Sequence, residues 1–327
     1  MWKSYSHEVD DFSHVGEVRR AAVSLAEGLD LDEVRAGKLA IIVTELASNI
    51  VKHAGRGEII LTVTATSLEI LALDKGPGIP NMLESLQDGY STGGTAGNGL
   101  GAIKRMASEF GHYSRPGQGT VFHASFRKDG SDPALDLLGG LAVPLKGESV
   151  CGDTWAFVKT EEGLRIMVAD GLGHGLPAYE ASQQAATVFK EQGRISPQES
   201  LQLLHNSLRS TRGAAVSIAD VDFGKQIVNF CGVGNVLGTL SDMASSKSLI
   251  AHNGTVGVQV RKIQSFPYPW NTDALLVIHS DGVTGHFNFK DYPGLSFKHP
   301  QLIAGVIYRD HQRVNDDSTV VVVRRPA

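Results

Sequence analysis

Cysteine is almost absent from this chain: 327 residues contain two, Cys151 and Cys231. They have no metal-ligand spacing, cannot supply a disulfide framework, and fit a reducing compartment. Aromatic residues are sparse at 7%, and charged ones reach only 20%. The formal net charge is −5, so bulk electrostatics give no case for nucleic-acid binding. No apolar run approaches the length of a membrane span, and the opening Met-Trp-Lys-Ser-Tyr-Ser-His has no signal-peptide core. A cytoplasmic protein without membrane contact is expected. Internal repeats and low-complexity segments are also missing. What remains is 42% apolar residues over a length that accommodates two domains, each with its own core. The polar stretch Lys128-Asp-Gly-Ser-Asp-Pro133 sets the boundary, giving domains 1–130 and 136–327.

In the first half, residues up to Val9 suggest an edge strand, and Val18, Ala22 and Leu25 recur at helical spacing between Val15 and Leu25. Asp30-Leu-Asp-Glu33 reads as a capping box opening a long helix that stops at Ala54-Gly55. Its apolar stripe is Leu39, Ile42 or Val43, Leu46 and Ile50. Glu45, Asn49 and His53 follow at i, i+4 and i+8, a carboxylate, an amide and an imidazole stacked on one face. A carboxylate there can take a proton from a hydroxyl, and an amide oxygen suits Mg²⁺. Glu58–Ala65 and Leu68–Leu73 alternate as a hairpin that runs into Asp74-Lys-Gly-Pro-Gly-Ile79. Next come Gly97-Asn-Gly-Leu-Gly101, a helix expected over Ala102–Phe110, and Gly117-Gln-Gly-Thr120 ahead of a last strand, Val121–Phe126. Glycines before a helix N-terminus let backbone N–H groups close on phosphate. No strand immediately precedes them, which rules out a Rossmann fingerprint.

These four boxes, in this order, resemble the GHKL (Bergerat-fold) ATPase and kinase family. The wording Glu-Leu-Ala-Ser-Asn-Ile-Val-Lys-His is most similar to the anti-sigma and switch-protein serine kinases of the RsbT/RsbW type. The resemblance implies an α/β sandwich binding ATP and Mg²⁺. It makes Glu45 the general base, Asn49 the Mg²⁺ ligand and Asp74 the acceptor of the adenine amine, assisted by Thr120. Gly78, Gly99 and Gly101 would line the nucleotide and Lys52 would reach a phosphate. His53, Gly76, Gly97 and Leu100 belong to the same expected nucleotide site. No phosphoacceptor-histidine domain accompanies them, so a histidine kinase is not expected.

The second half repeats another pattern: apolar strands that end on aspartate. Leu164–Ala169 ends on Asp170, followed by glycines at 171, 173 and 175 and helix-like sequence from Pro177. Asp153 sits in Ser149-Val-Cys-Gly-Asp-Thr-Trp-Ala-Phe157, where it reads as mid-strand. Asp273–Val283 contains Asp281-Gly282, and Asn315-Asp-Asp-Ser-Thr places Asp316 and Asp317 at the head of a final apolar strand. One Asp-Gly is an ordinary turn. Four strand-end acids that converge would repel one another unless cations sat between them. Two ions roughly 4 Å apart also activate a water for in-line attack on phosphorus. Helices are expected at Pro177–Gln192, Pro197–Arg209 and Gln301–Tyr308, and strands at Ala214–Asp222, Gln226–Val233 and Ala274–His279. The overall class is α/β (α+β), with two sheets sandwiched by helices in the second domain.

Cys-Gly-Asp-Thr, Ala-Asp-Gly-Leu-Gly-His-Gly, Ser-Asp-Gly and Asp-Asp-Ser-Thr resemble the blocks of PPM-family metal-dependent Ser/Thr phosphatases in their SpoIIE-like branch. Arg212-Gly-Ala-Ala-Val-Ser-Ile and Gly232-Val-Gly-Asn235 look most like the RsbX-type stressosome phosphatases. The resemblance implies an α-β-β-α sandwich holding two Mn²⁺ or Mg²⁺. Asp170 would bridge both ions and the Gly171 carbonyl would join one of them. Asp153, Asp281 and one of Asp316/Asp317 would complete the shells, with Asp316 favoured because the family places the ligand first in that pair. His174 is expected in the turn rather than on a metal, and His252-Asn253 in a loop.

Together the resemblances imply opposed activities on one chain: a kinase head for Ser/Thr of a STAS-domain regulatory protein, and a phosphatase head for phosphoserine or phosphothreonine. Two other readings stand beside this one. The first domain is then only an ATP sensor, or it binds a sigma factor or downstream switch protein as an anti-sigma module.

Overall fold

The computed structural model describes residues 2–29, 31–86, 99–128, 136–271, 273–285 and 287–326. They form two compact units, Met1–Leu135 and Asp136–Ala327. No helix among the described residues is long and apolar enough to cross a membrane.

The first unit runs β1 (Lys3–Val9), α1 (Phe12–Ala26), α2 (Glu33–Asn49), β2 (Gly57–Val63), β3 (Ser67–Asp74), α3 (Met82–Ser85), α4 (Gly99–Met106), β4 (Glu109–Ser114) and β5 (Thr120–Arg127). Its antiparallel sheet has the order β1-β2-β3-β5-β4, with β1 on the edge as its sequence suggests. Val15, Val18 and Ala22 of α1 and Leu39, Ile42, Val43 and Leu46 of α2 are buried against Ile59, Leu61, Ile70 and Phe122 of the sheet. The helical stripe and the period-2 strand pattern therefore meet in one core.

Three local expectations are corrected. The cap of α2 is Asp32, whose side chain accepts from the Arg35 N–H at 2.7 Å. It is not the expected Asp30–Glu33 box, and Asp30 lies outside the described residues. The helix changes to a π turn over Ile50–Ala54 before Gly55 ends it. The expected helix to Phe110 stops at Met106, because Phe110 pairs with Ala124 as part of β4.

The second unit contains β6 (Leu138–Val143), β7 (Asp153–Lys159), β8 (Gly163–Gly171), α5 (Leu176–Glu191), α6 (Pro197–Ser207), β9 (Ala214–Asp222), β10 (Ile227–Val233) and β11 (Leu237–Ser241). Five short strands follow: β12 (Ser246–Ser248), β13 (Ala251–His252), β14 (Gly254–Thr255), β15 (Gln259–Val260) and β16 (Phe266–Pro269). The chain closes with β17 (Leu275–His279), α7 (Pro300–His311) and β18 (Ser318–Val323). One sheet has the order β13-β10-β9-β8-β7, with β16 beside β10, and the other β12-β11-β17-β18-β6.

Helices α5 and α6 pack on the first sheet and α7 on β6 and β18 of the second. The result is the expected α-β-β-α layering. A stripe of Ala178, Ala181, Ala185 and Ala186 lets α5 lie close to β7 and β8, and Phe189 fills the end of that interface. Phe189 is fully buried, so Phe189→Ala opens a cavity that its neighbours cannot fill. A loss of about 3–5 kcal/mol is expected, measured as a lower urea midpoint for the transition of the second unit.

Candidate active sites

In the first unit, α2 and the end of β3 wall a cavity of about 410 Å³. Glu45, Asn49, Lys52 and His53 line it from the helix and its π turn, and Asp74 and Thr120 from the sheet. Gly78, Gly99 and Leu100 complete the set of sequence-expected residues that reach it. A π turn inside a helix is a common mark of functional sites.

Asp74 is held in place: its Oδ1 accepts the Gly76 N–H at 2.8 Å and the Thr120 N–H at 3.2 Å. The Thr120 hydroxyl is 2.8 Å from Ser114 Oγ, which in turn accepts the Ile79 N–H at 2.8 Å. This chain of bonds ties the Gly-Pro-Gly turn to β4 and β5. Gly119, at φ +80°, permits it, since a Cβ there would lie 2.1 Å from the Asp74 carbonyl oxygen.

Two expected residues stand elsewhere. Gly76 packs its backbone on Ala54 and fixes Asp74 rather than lining the cavity, and Gly101 is on the buried face of α4. Gly97 lies outside the described residues. Ser114 was not legible as a contributor, because its role exists only once the β4–β5 register brings it opposite Thr120.

In the second unit the aspartates gather where strand ends of the two sheets meet. Asp153 and Asp170 are directly opposite each other on β7 and β8. Asp153 is the first residue of its strand, not a mid-strand position as the sequence suggests. Asp281 follows β17 and Asp316 precedes β18, which are antiparallel neighbours in the other sheet. Asp281 acts on both Asp170 and Asp316, its charge raising each carboxyl. Asn235 Nδ2 donates to Asp281 Oδ2 at 2.5 Å. Gly282 lets the turn after Asp281 cross the backbone of Asp317, whose carbonyl oxygen would stand 1.8 Å from any Cβ.

Asp316 and Asp317 divide their tasks. Asp317 is buried, and both its oxygens are engaged by the backbone of the loop before β7, with the Leu145 N–H at 2.8 Å and the Gly152 N–H at 3.0 Å. Asp316 faces Asp281. Gly171 ends β8, its N–H donating to the Gly152 carbonyl at 3.1 Å. His174 Nδ1 is 2.7 Å from Glu148, in keeping with a turn residue. His252 departs from the expected loop: it lies on β13 with its ring against Phe266.

The electrostatics follow from crowding. Burial pushes the Asp170 carboxyl up to about 9, reinforced by the charges of Asp153, Asp281 and Asp316. Asp153 is pushed up to about 7 by burial and by Asp317 and Asp316, against the pull of the Ser280 and Thr319 hydroxyls. Burial and Asp281 also raise Asp316.

Among the described residues no three His, Cys, Asp or Glu side chains are close enough together to grip a single ion. The carboxylates thus converge without closing into a cage. They nevertheless suit a hard divalent cation. The donors are all oxygens, and Asp153 Oδ2 is buried with no hydrogen-bond partner, a costly arrangement unless a proton or cation meets it.

Residues 9–126 match the family model of the histidine kinase-like ATPase domain, and residues 160–326 match that of Stage II sporulation protein E (SpoIIE). The serine/threonine-protein kinase RsbT of Bacillus subtilis (strain 168) is 36% identical over 110 residues, 32% of this chain and 83% of RsbT. The phosphoserine phosphatase RsbX of the same organism is 26% identical over 139 residues, 42% of this chain and 70% of RsbX. A structure described as "The bacterial stressosome: a modular system that has been adapted to control secondary messenger signaling" superposes with a TM-score of 0.53 at 25% identity. That overlap covers 57% of this chain and 98% of the other.

A cluster whose members raise one another's pKa stores repulsion. Asp170→Asn should therefore stabilise the second unit by about 1 kcal/mol in chelator at pH 7. Thermal unfolding with EDTA reads this directly, and an unchanged or lowered midpoint would speak against the cluster.

Proposed function

The chain belongs to the SpoIIE family of PPM-type phosphatases through its second unit and to the RsbT kind of histidine kinase-like ATPase domain through its first, and on that premise we propose a bifunctional partner-switching regulator. The first unit transfers the γ-phosphoryl of ATP to a serine or threonine of a STAS-domain protein. The second removes phosphate from phosphoserine or phosphothreonine on the same or a sister protein. The setting is the cytoplasm.

In the kinase head, Asp74 accepts the adenine amine, and its fixed carboxylate makes that contact selective. Asn49 offers an oxygen to Mg²⁺, Lys52 reaches toward phosphate, and Glu45 takes the proton of the acceptor hydroxyl. Glu45 is what supports transfer over nucleotide sensing, since a sensor needs no base.

In the phosphatase head, Asp153, Asp170, Asp281 and Asp316 would hold two divalent cations, with Mn²⁺ or Mg²⁺ suited to the all-oxygen donors. Such a pair would supply a water of lowered pKa and charge stabilisation for displacement at phosphorus. The remaining work is positional. Asn235 orients Asp281, and Asp317 anchors the loop that carries Asp153. The observation that carries this reading is the opposition of Asp153 and Asp170 across one strand pair, facing Asp281 from the other sheet.

Purified protein, labelled ATP and candidate STAS-domain proteins test the first head. Transfer should fall at least about a hundredfold in Glu45→Ala, within the range of a lost general base, and equal transfer by the variant would refute the assignment. Hydrolysis of p-nitrophenyl phosphate tests the second head. It should require Mn²⁺ or Mg²⁺ and be lost in Asp170→Asn, and a fully active variant would remove Asp170 from the site.

A further inference from the structure

The turn that follows Asp170 carries two side chains that water should disfavour. Leu172 is 54% exposed and Leu176 is 58% exposed, although both stand within six residues of the acid cluster. A third, Val258, is 62% exposed and comes from the β14–β15 hairpin. Leu172 and Val258 are not scattered. The Leu172 N–H donates to the Gly213 carbonyl at 3.0 Å, and Val258 Cγ2 would be 2.9 Å from a Cβ on Gly213. Leu172 and Val258 therefore flank one short backbone segment.

Arg212 stands in that segment. The residue is exposed, and its Nη1 lies against Gly173, 3.1 Å from where a Cβ would be. Among the described residues no carboxylate pairs with it, despite the aspartates nearby. The chemistry of a phosphate ester calls for no exposed aliphatic side chains at this edge. Isolated exposed leucines need no explanation, whereas a contiguous group beside a reaction site does.

Resting on the phosphatase reading above, we propose that Leu172, Val258 and Arg212 form a docking edge for a folded phosphoprotein. The partner presents its phosphoserine beside an apolar surface patch that carries an acidic residue. Apolar contact covers Leu172 and Val258, and the acidic side chain pairs with Arg212, leaving the phosphoserine over Asp170. Only Gly171 separates Leu172 from Asp170, so this edge adjoins the acid cluster. Selectivity then comes from the shape and charge of a folded surface rather than from the sequence around the serine.

The probes are a serine-phosphorylated STAS-domain protein, the tryptic phosphopeptide cut from it, and p-nitrophenyl phosphate. The intact protein should be preferred over its own peptide by at least about tenfold in kcat/KM. In Leu172→Asp/Val258→Asp, and separately in Arg212→Glu, the ratio of kcat/KM on the protein to that on p-nitrophenyl phosphate should fall by at least about tenfold. All three side chains are exposed, so the folded state should tolerate the changes, and circular dichroism verifies it. A peptide hydrolysed as well as the intact protein, or a ratio unmoved by both variants, would overturn the docking edge while leaving the phosphatase intact. A wild type inactive even on p-nitrophenyl phosphate with Mn²⁺ would instead bring down the phosphatase reading, and the docking edge with it.

Discussion

Carboxylates gathered in a partly buried space repel one another, and the second unit is built around tolerating that. Its two sheets deliver acids from β7, β8, β17 and β18 to one place, and the surrounding groups are those that such crowding requires. Asp317 is held by two backbone N–H groups and Asp281 by an amide, whereas Asp153 Oδ2 is left without a partner. Asp170 has the least help and its carboxyl is pushed highest. A site of this kind stores unfavourable energy in the fold and releases it when cations arrive, which couples stability to metal.

Much of this was legible in the chain. The aspartates were marked by apolar runs that ended on them, and the long helix of the first unit by its stripe of Leu39, Val43, Leu46 and Ile50. What escaped detection depended on pairing between distant segments. Glu109 and Phe110 stand at the end of the expected helix, but β5 claims them as strand. Asp316 and Asp317 are chemically identical neighbours, and only the contacts of Asp317 with Leu145 and Gly152, far away in sequence, separate their roles. Ser114 carries no sequence signal of its own, since it acts through Thr120, which the fold brings to it.

The two heads use the same economy of design with opposite signs. In the first unit Asp74 is a fixed acceptor, held by the Gly76 and Thr120 N–H groups, and on the proposed reading it would accept from a base. In the second, acidic side chains prepare for cations. Kinase and phosphatase on a single chain would set the phosphorylation level of a shared target by the ratio of their rates, and covalent linkage raises the effective concentration of each for that target.

The decisive measurement is anomalous diffraction at the manganese edge from crystals grown with Mn²⁺. Two peaks roughly 4 Å apart should appear, bridged by the carboxylate of Asp170, with Asp153, Asp281 and Asp316 on the outer positions and Asp317 still bound to its loop. A single peak that Asp170 does not touch, or manganese bound only elsewhere on the second unit, would contradict the reading of the aspartates as a two-cation centre.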